Sequence, residues 1–150
     1  SYRGYTAGRA VTELDGLKII VVAGFLEPNA KNLSETFALG DEKLIRSKAT
    51  VLVATHLFSG ISRAMRKKFD SSSPGEILAQ SLRMLGTGVK VGIECTVMAA
   101  DACLVSTDED VIAIAGTRSG ADTAFVVRPV NSQDIFDLKV KEVLCRPKDW

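Results

Sequence analysis

Val111-Ile-Ala-Ile-Ala-Gly-Thr-Arg-Ser-Gly-Ala-Asp-Thr-Ala-Phe-Val-Val-Arg128 reads as two apolar strands joined by a polar, glycine-containing loop. Residues 111–115 are apolar at every position, the pattern of a strand covered on both faces. Residues 124–128 follow after a short connection, as the second strand of an antiparallel hairpin at one side of a sheet would. Working outward, residues 18–23 (KIIVVA) and 50–54 (TVLVA) have the same character. Runs of this kind suit a mostly parallel sheet covered by helices, so the expected class is α/β. Residues 138–146 (LKVKEVLCR) partly alternate apolar and polar, like a half-exposed edge strand that Pro147 stops.

Helical patterns lie between these runs. Residues 34–47 carry Phe37, Leu44 and Ile45 among charges, although Gly40 weakens the pattern by about 1 kcal/mol. Residues 61–69 place Ile61, Met65 and Phe69 on one face at spacing four. Ser73-Pro74-Gly75-Glu76 has the form of a helix start, with Ser as N-cap, Pro in the first turn and Glu as the returning half of a capping box. That helix should run to about Leu85 and end near Gly86 and Gly88. Residues 89–104 are ambiguous. Val89, Val91, Ile93, Cys95 and Val97 alternate like a strand, whereas Met98, Ala99, Ala100, Ala102 and Cys103 continue like a buried small-residue helix. Met84 and Met98 read as core.

The chain has 150 residues, 46% hydrophobic and 25% charged, which is globular composition with one core's worth of apolar mass. A formal net charge of +1 sets up no general field for nucleic acid or an anionic membrane, so neither is an expected partner. The basic run Arg63-Ala-Met-Arg66-Lys67-Lys68 reads as the solvated C-terminal part of a helix, where cations complement the dipole. No aromatic residues interleave those charges. Cys95, Cys103 and Cys145 are odd in number and lack CxxC spacing, which argues for a reduced, cytoplasmic protein without a metal site.

Three loops could carry ligand chemistry. In Ser1-Tyr-Arg-Gly4-Tyr-Thr6-Ala7, a glycine between hydroxyl residues ahead of a helix can aim N–H groups and hydroxyls at an anion. Ala54-Thr55-His56-Leu-Phe-Ser59-Gly60 leaves the second strand, the end at which open α/β sheets collect ligands. It holds His56, the one histidine of the chain, suited to acid–base work or to donating a hydrogen bond to a ligand ring. In the third, Gly116-Thr117-Arg118-Ser119-Gly120-Ala121-Asp122-Thr123, glycines permit close backbone approach, hydroxyls donate, and Arg can grip phosphate. Asp122 reads as the residue that pins this loop through backbone N–H groups. The spacing is not GxxxxGK[ST], so triphosphate chemistry is not implied. Glu94 and Asp101 would share a helix face if residues 89–104 were helical, and Glu94 is a candidate site residue. The cysteines have no cationic neighbours in sequence to activate them.

Residues 111–123 resemble the C-terminal domain of pyruvate kinase, where a strand leads into a glycine-rich loop and a Thr-containing return. Residues 1–7 resemble that family's second effector-phosphate loop. Residues 54–60, 97–102, 120–124 and 136–147 are similar to recurrent segments of stand-alone, largely archaeal proteins of this fold, so the resemblance runs nearly end to end. It implies one domain over residues 1–150 with a three-layer α/β/α architecture, and helix over 89–104. It also implies a native strand and helix ahead of Ser1, and a 22–28 turn shorter than the family's. The kinase active site lies outside the resemblance, so pyruvate kinase catalysis is not implied and no catalytic residue is assigned. Carried over, the phosphate contacts would be Ser1, Gly4, Thr6, Gly116, Thr117, Gly120 and Thr123, with Phe25, His56 and Glu94 near the rest of the ligand. The expected activity is binding of a phosphorylated small molecule, with flavin mononucleotide (FMN) as the candidate cofactor. The alternatives are a flavin-dependent oxidoreductase and an oligomeric regulatory module without turnover, which a homo-oligomer would serve.

Overall fold

Strands β1 (Ile19–Gly24) and β2 (Ala49–Ala54) pair in parallel, from Ile19 against Ala49 to Gly24 against Ala54. They belong to the first of two units, Ser1–Ala54 and Thr55–Trp150, into which the computed structural model divides. The residues described are 3–24, 41–117 and 120–149. In the first unit, helices α1 (Tyr5–Glu13) and α2 (Glu42–Lys48) contribute Ala7, Val11 and Ile45 to a core shared with Val21 and Ala23 of β1. Asp41 caps α2 by accepting the Leu44 N–H at 3.0 Å, satisfying one of the four donors that a helix start leaves open. The helix expected over 34–47 is thus present in its last part, and residues 34–40 lie outside the described residues.

The second unit holds helices α3 (Gly60–Phe69), α4 (Pro74–Arg83) and α5 (Thr87–Asp101), then strands β3 (Val111–Ala115), β4 (Thr123–Arg128) and β5 (Lys139–Cys145). β3 and β4 form the expected antiparallel hairpin, and β5 adds antiparallel to β4, giving the order β3-β4-β5. The expectation of a mostly parallel sheet is therefore corrected: among the described residues only β1–β2 is a parallel pair. Parallel neighbours need a crossover of a dozen residues or more, and the links 116–122 and 129–138 are too short to supply one. Asp110 ties the far ends of the three strands together, at 2.5 Å from Arg128 Nε and 2.7 Å from Lys141 Nζ. Both cations hold its carboxyl below the usual range.

Ser73 caps α4 as expected, taking the Glu76 N–H at 3.2 Å with Pro74 behind it. Glu76 does not close the capping box. Its carboxylate turns instead to the Arg66 guanidinium of α3, which offers a full charge where the Ser73 N–H offers a dipole. Helix α3 ends in Arg66, Lys67 and Lys68, as its sequence indicated. The Ile61–Met65–Phe69 face is not its buried side, however. Ile61 and Phe69 are exposed, and the buried residue is Ser62, whose hydroxyl lies 2.6 Å from that of Ser73. Met84, expected in the core, is exposed at the end of α4, while Met98 is buried.

Residues 87–101 are helix, which resolves the ambiguous stretch. Helix α5 can lie close to the sheet because of its glycines. A Cβ on Gly92 would stand 2.7 Å from two carbons of the Phe125 ring, itself fully buried. Val89, Ile93, Ala113, Phe125 and Val127 form the core of this contact. At the other end of α5, Asp101 accepts the Ser132 N–H at 2.8 Å, anchoring the 3-10 turn Ser132–Asp137 that leads into β5.

Gly92→Ala should destabilise the fold although alanine favours helix. The propensity gain is about 1 kcal/mol, whereas forcing a methyl into a packed contact costs about 1–3 kcal/mol. Gly8 of α1 has open space where its Cβ would be, so Gly8→Ala should gain up to about 1 kcal/mol. Urea unfolding of the two variants would show midpoint shifts of opposite sign; a stabilised Gly92→Ala protein would refute the close approach.

Candidate ligand-binding site

The link between β3 and β4 folds back on itself through contacts that leave no room for side chains. A Cβ on Gly116 would stand 2.2 Å from the Gly120 carbonyl oxygen, so the backbone crosses there only as glycine. Gly120 adopts φ +81°, the left-handed region that glycine enters without strain. Asp122 closes the loop. Its Oδ2 accepts the Thr117 N–H at 2.9 Å, its Oδ1 accepts the Thr123 hydroxyl at 2.6 Å, and its own N–H reaches the Ala115 carbonyl at 3.0 Å. Partial burial pushes the Asp122 carboxyl up, but the bonds from Thr123 and Thr117 outweigh it and hold the group below its ordinary value.

This loop rests on the start of α5. A Cβ on Gly88 would meet Thr123 Oγ1 at 2.2 Å and Asp122 Oδ1 at 2.7 Å. The Asp122 carboxylate therefore sits beside the first turn of a 15-residue helix whose N-cap, Gly86, offers no side-chain acceptor. Negative charge is favoured at such an end by the dipole and the open N–H groups. Thr123 is buried beneath the loop with its hydroxyl given to Asp122, whereas Thr117 is exposed. Of the loop residues expected to meet phosphate, Gly116, Thr117 and Gly120 thus form the outer part and Thr123 the support. Arg118 and Ser119 lie outside the described residues.

His56 and Glu94 come together in a second cluster of the same unit. His56 Nδ1 lies 2.9 Å from Glu94 Oε2, and the Phe58 N–H donates to Glu94 Oε1 at 3.0 Å. Lys90, one turn earlier on α5, donates to Oε2 and sits with its ammonium 5.8 Å from the Phe58 ring centroid. Glu94 is fully buried and Lys90 is 5% exposed. Burial alone would raise the Glu94 carboxyl; the His56 bond, then Lys90 and the Phe58 N–H, outweigh it and bring it below its ordinary value. Glu94 has no surface to offer a ligand and acts instead on His56 and on the turn 55–59. Lys90 was missed from sequence, though a Lys four residues before a Glu on an otherwise apolar helix is a legible ion-pair spacing.

The remaining expected residues fall elsewhere. Gly4 is buried at φ 83° as the N-cap of α1, and Thr6 lies in the first turn of that helix. Both belong to the first unit. Ser1 and Phe25 lie outside the described residues. An open apolar groove of 570 Å³, lined among others by Leu82, Val89, Ile93, Ile135 and Val143, contains none of the expected ligand residues. Cys95 has its thiol pushed up to about 11 by burial, which leaves it inert near neutral pH. None of the described helices is long and apolar enough to cross a membrane. No protein-family model matches the chain.

The buried cluster makes stability pH-dependent with a defined sign. The folded Glu94 carboxyl titrates below its ordinary value, so its contribution is complete above the ordinary range and is lost as pH falls through the folded titration. Lys90→Met should cost about 3–5 kcal/mol at neutral pH, because it strands a buried carboxylate. That cost should shrink in acid, where a protonated Glu94 needs no cation. Denaturant midpoints of wild type and variant across a pH series would show the two curves converging; a pH-independent gap would rule out the ionised pair.

Proposed function

We propose that this chain is a binding domain for a phosphate-bearing small ligand, with the phosphate taken by the outer part of the 116–123 loop. The observation that carries the reading is the loop's construction: Gly116 and Gly120 are compressed against one another, Asp122 ties the inner side, and Thr117 is left exposed. Backbone N–H groups and a hydroxyl are donors that bind phosphate without chemistry being done on it. Recognition, rather than turnover, is the mechanism assigned to these residues.

The finer architecture belongs to the same proposal. The resemblance to the pyruvate kinase C-terminal domain supports a three-layer α/β/α domain. It also supports FMN as the ligand, with His56 beside the part that follows the phosphate.

Inorganic phosphate and FMN should each perturb the amide resonances of Gly116, Thr117 and Gly120 in a titration. Thr117→Ala should weaken both by about 1.5–3 kcal/mol, the worth of a hydrogen bond to a charged group and roughly tenfold or more in affinity. Thr123→Ala should act indirectly, by freeing Asp122, and should appear first as a loss of stability. Shifts confined to other residues, or a Thr117→Ala protein with unchanged affinity for both ligands, would sink the proposal. A response to phosphate without one to FMN would keep the loop and remove the flavin.

A further inference from the structure

The charges around Glu94 decide which nitrogen of His56 carries the proton. An ionised carboxylate is an acceptor only. Glu94 is ionised here because Lys90 donates to its Oε2 and the Phe58 N–H fills Oε1 at 3.0 Å. A proton placed on Oε2 would face the Lys90 ammonium, and one on Oε1 would face the Phe58 N–H, so neither oxygen can carry it without losing a bond. His56 Nδ1, at 2.9 Å from Oε2, must therefore be the donor in that contact.

We propose that Lys90 and Glu94 act as positioning residues that lock the His56 tautomer, so that the neutral ring carries its proton on Nδ1 and presents Nε2 as an acceptor. The polarity at Nε2 is the reverse of the one expected from sequence, in which the ring donates a hydrogen bond to the ligand. The inference rests on residues 56–94 alone and does not depend on the phosphate loop.

His56 is the one histidine in the chain, so ring-labelled histidine gives a single set of signals. Long-range proton–nitrogen correlation spectra of the intact protein, recorded above the ring's titration, distinguish the two tautomers directly. The wild type should be mostly Nδ1–H. In Glu94→Gln the amide oxygen can serve the Phe58 N–H only by turning its NH₂ toward Nδ1, so the population should shift to mostly Nε2–H. A histidine held merely by packing would show the same tautomer in both proteins. A wild-type ring that is mostly Nε2–H overturns the proposal by itself, whether or not the variant folds. A folded Glu94→Gln protein that keeps Nδ1–H also overturns it, by removing Glu94 from control of the ring.

Discussion

A carboxylate removed from water must be met by charge and by donors in fixed places, and Glu94 imposes that requirement on the middle of α5. Residues two apart on a helix point about 200° from one another. Gly92 and Glu94 therefore occupy nearly opposite sides of α5. On one side the missing side chains of Gly88 and Gly92 let the helix lie against Thr123 and Phe125. On the other, Lys90 and Glu94 reach the turn that carries His56 and Phe58. Both candidate sites of the second unit are held by this single helix, through backbone proximity on one side and buried charge on the other.

Stability alone does not explain the charged side. Replacing a buried ion pair by apolar residues of similar volume is often neutral, or stabilising by about 1–4 kcal/mol. An apolar trio at positions 56, 90 and 94 would hold the 55–59 turn to α5 at least as firmly. What it could not do is fix an imidazole with one nitrogen committed and the other defined by default. Geometry and protonation state together are what the ionic cluster supplies. The Lys90 ammonium above the Phe58 ring serves the same end, because it gives the long side chain a second attraction in its buried position.

The parts of the fold legible in sequence are those whose local chemistry has one structural meaning. Ser73-Pro74 can start a helix and little else, and the apolar pair of runs around 116–123 is close enough in sequence to be a hairpin. Strand direction was not legible, because an apolar run reports cover on both faces and not the sense of its neighbour. Helix α5 was obscured for a related reason. It is buried around most of its circumference, so no polar face marks the 3.6-residue period, and Val89, Val91, Ile93, Cys95 and Val97 alternate as a strand would. Ile61, Met65 and Phe69 misled in the opposite sense: spacing identified a stripe, but a hydroxyl pair between Ser62 and Ser73 set which side of α3 is buried. The glycines at 88 and 92 were visible as helix weakeners; their purpose emerged only with the sheet beside them.

Asp122 determines on which side of its loop an anion can sit. Its carboxylate already supplies negative charge at the first turn of α5 and takes the Thr117 N–H and the Thr123 hydroxyl. A phosphate entering from that side would have to displace these bonds and would meet a carboxylate held ionised. Bonds to charged groups are each worth roughly 1.5–3 kcal/mol, and like-charge approach adds to their loss. The inner side of the loop is thus electrostatically closed, and Thr123, although a hydroxyl residue at a strand end, is a structural donor. A phosphate at this loop, as proposed, would therefore have to approach from the side away from Asp122. The same aspartate that looks unsuited to a phosphate loop by charge thus restricts, in that proposal, the side from which a phosphate can come.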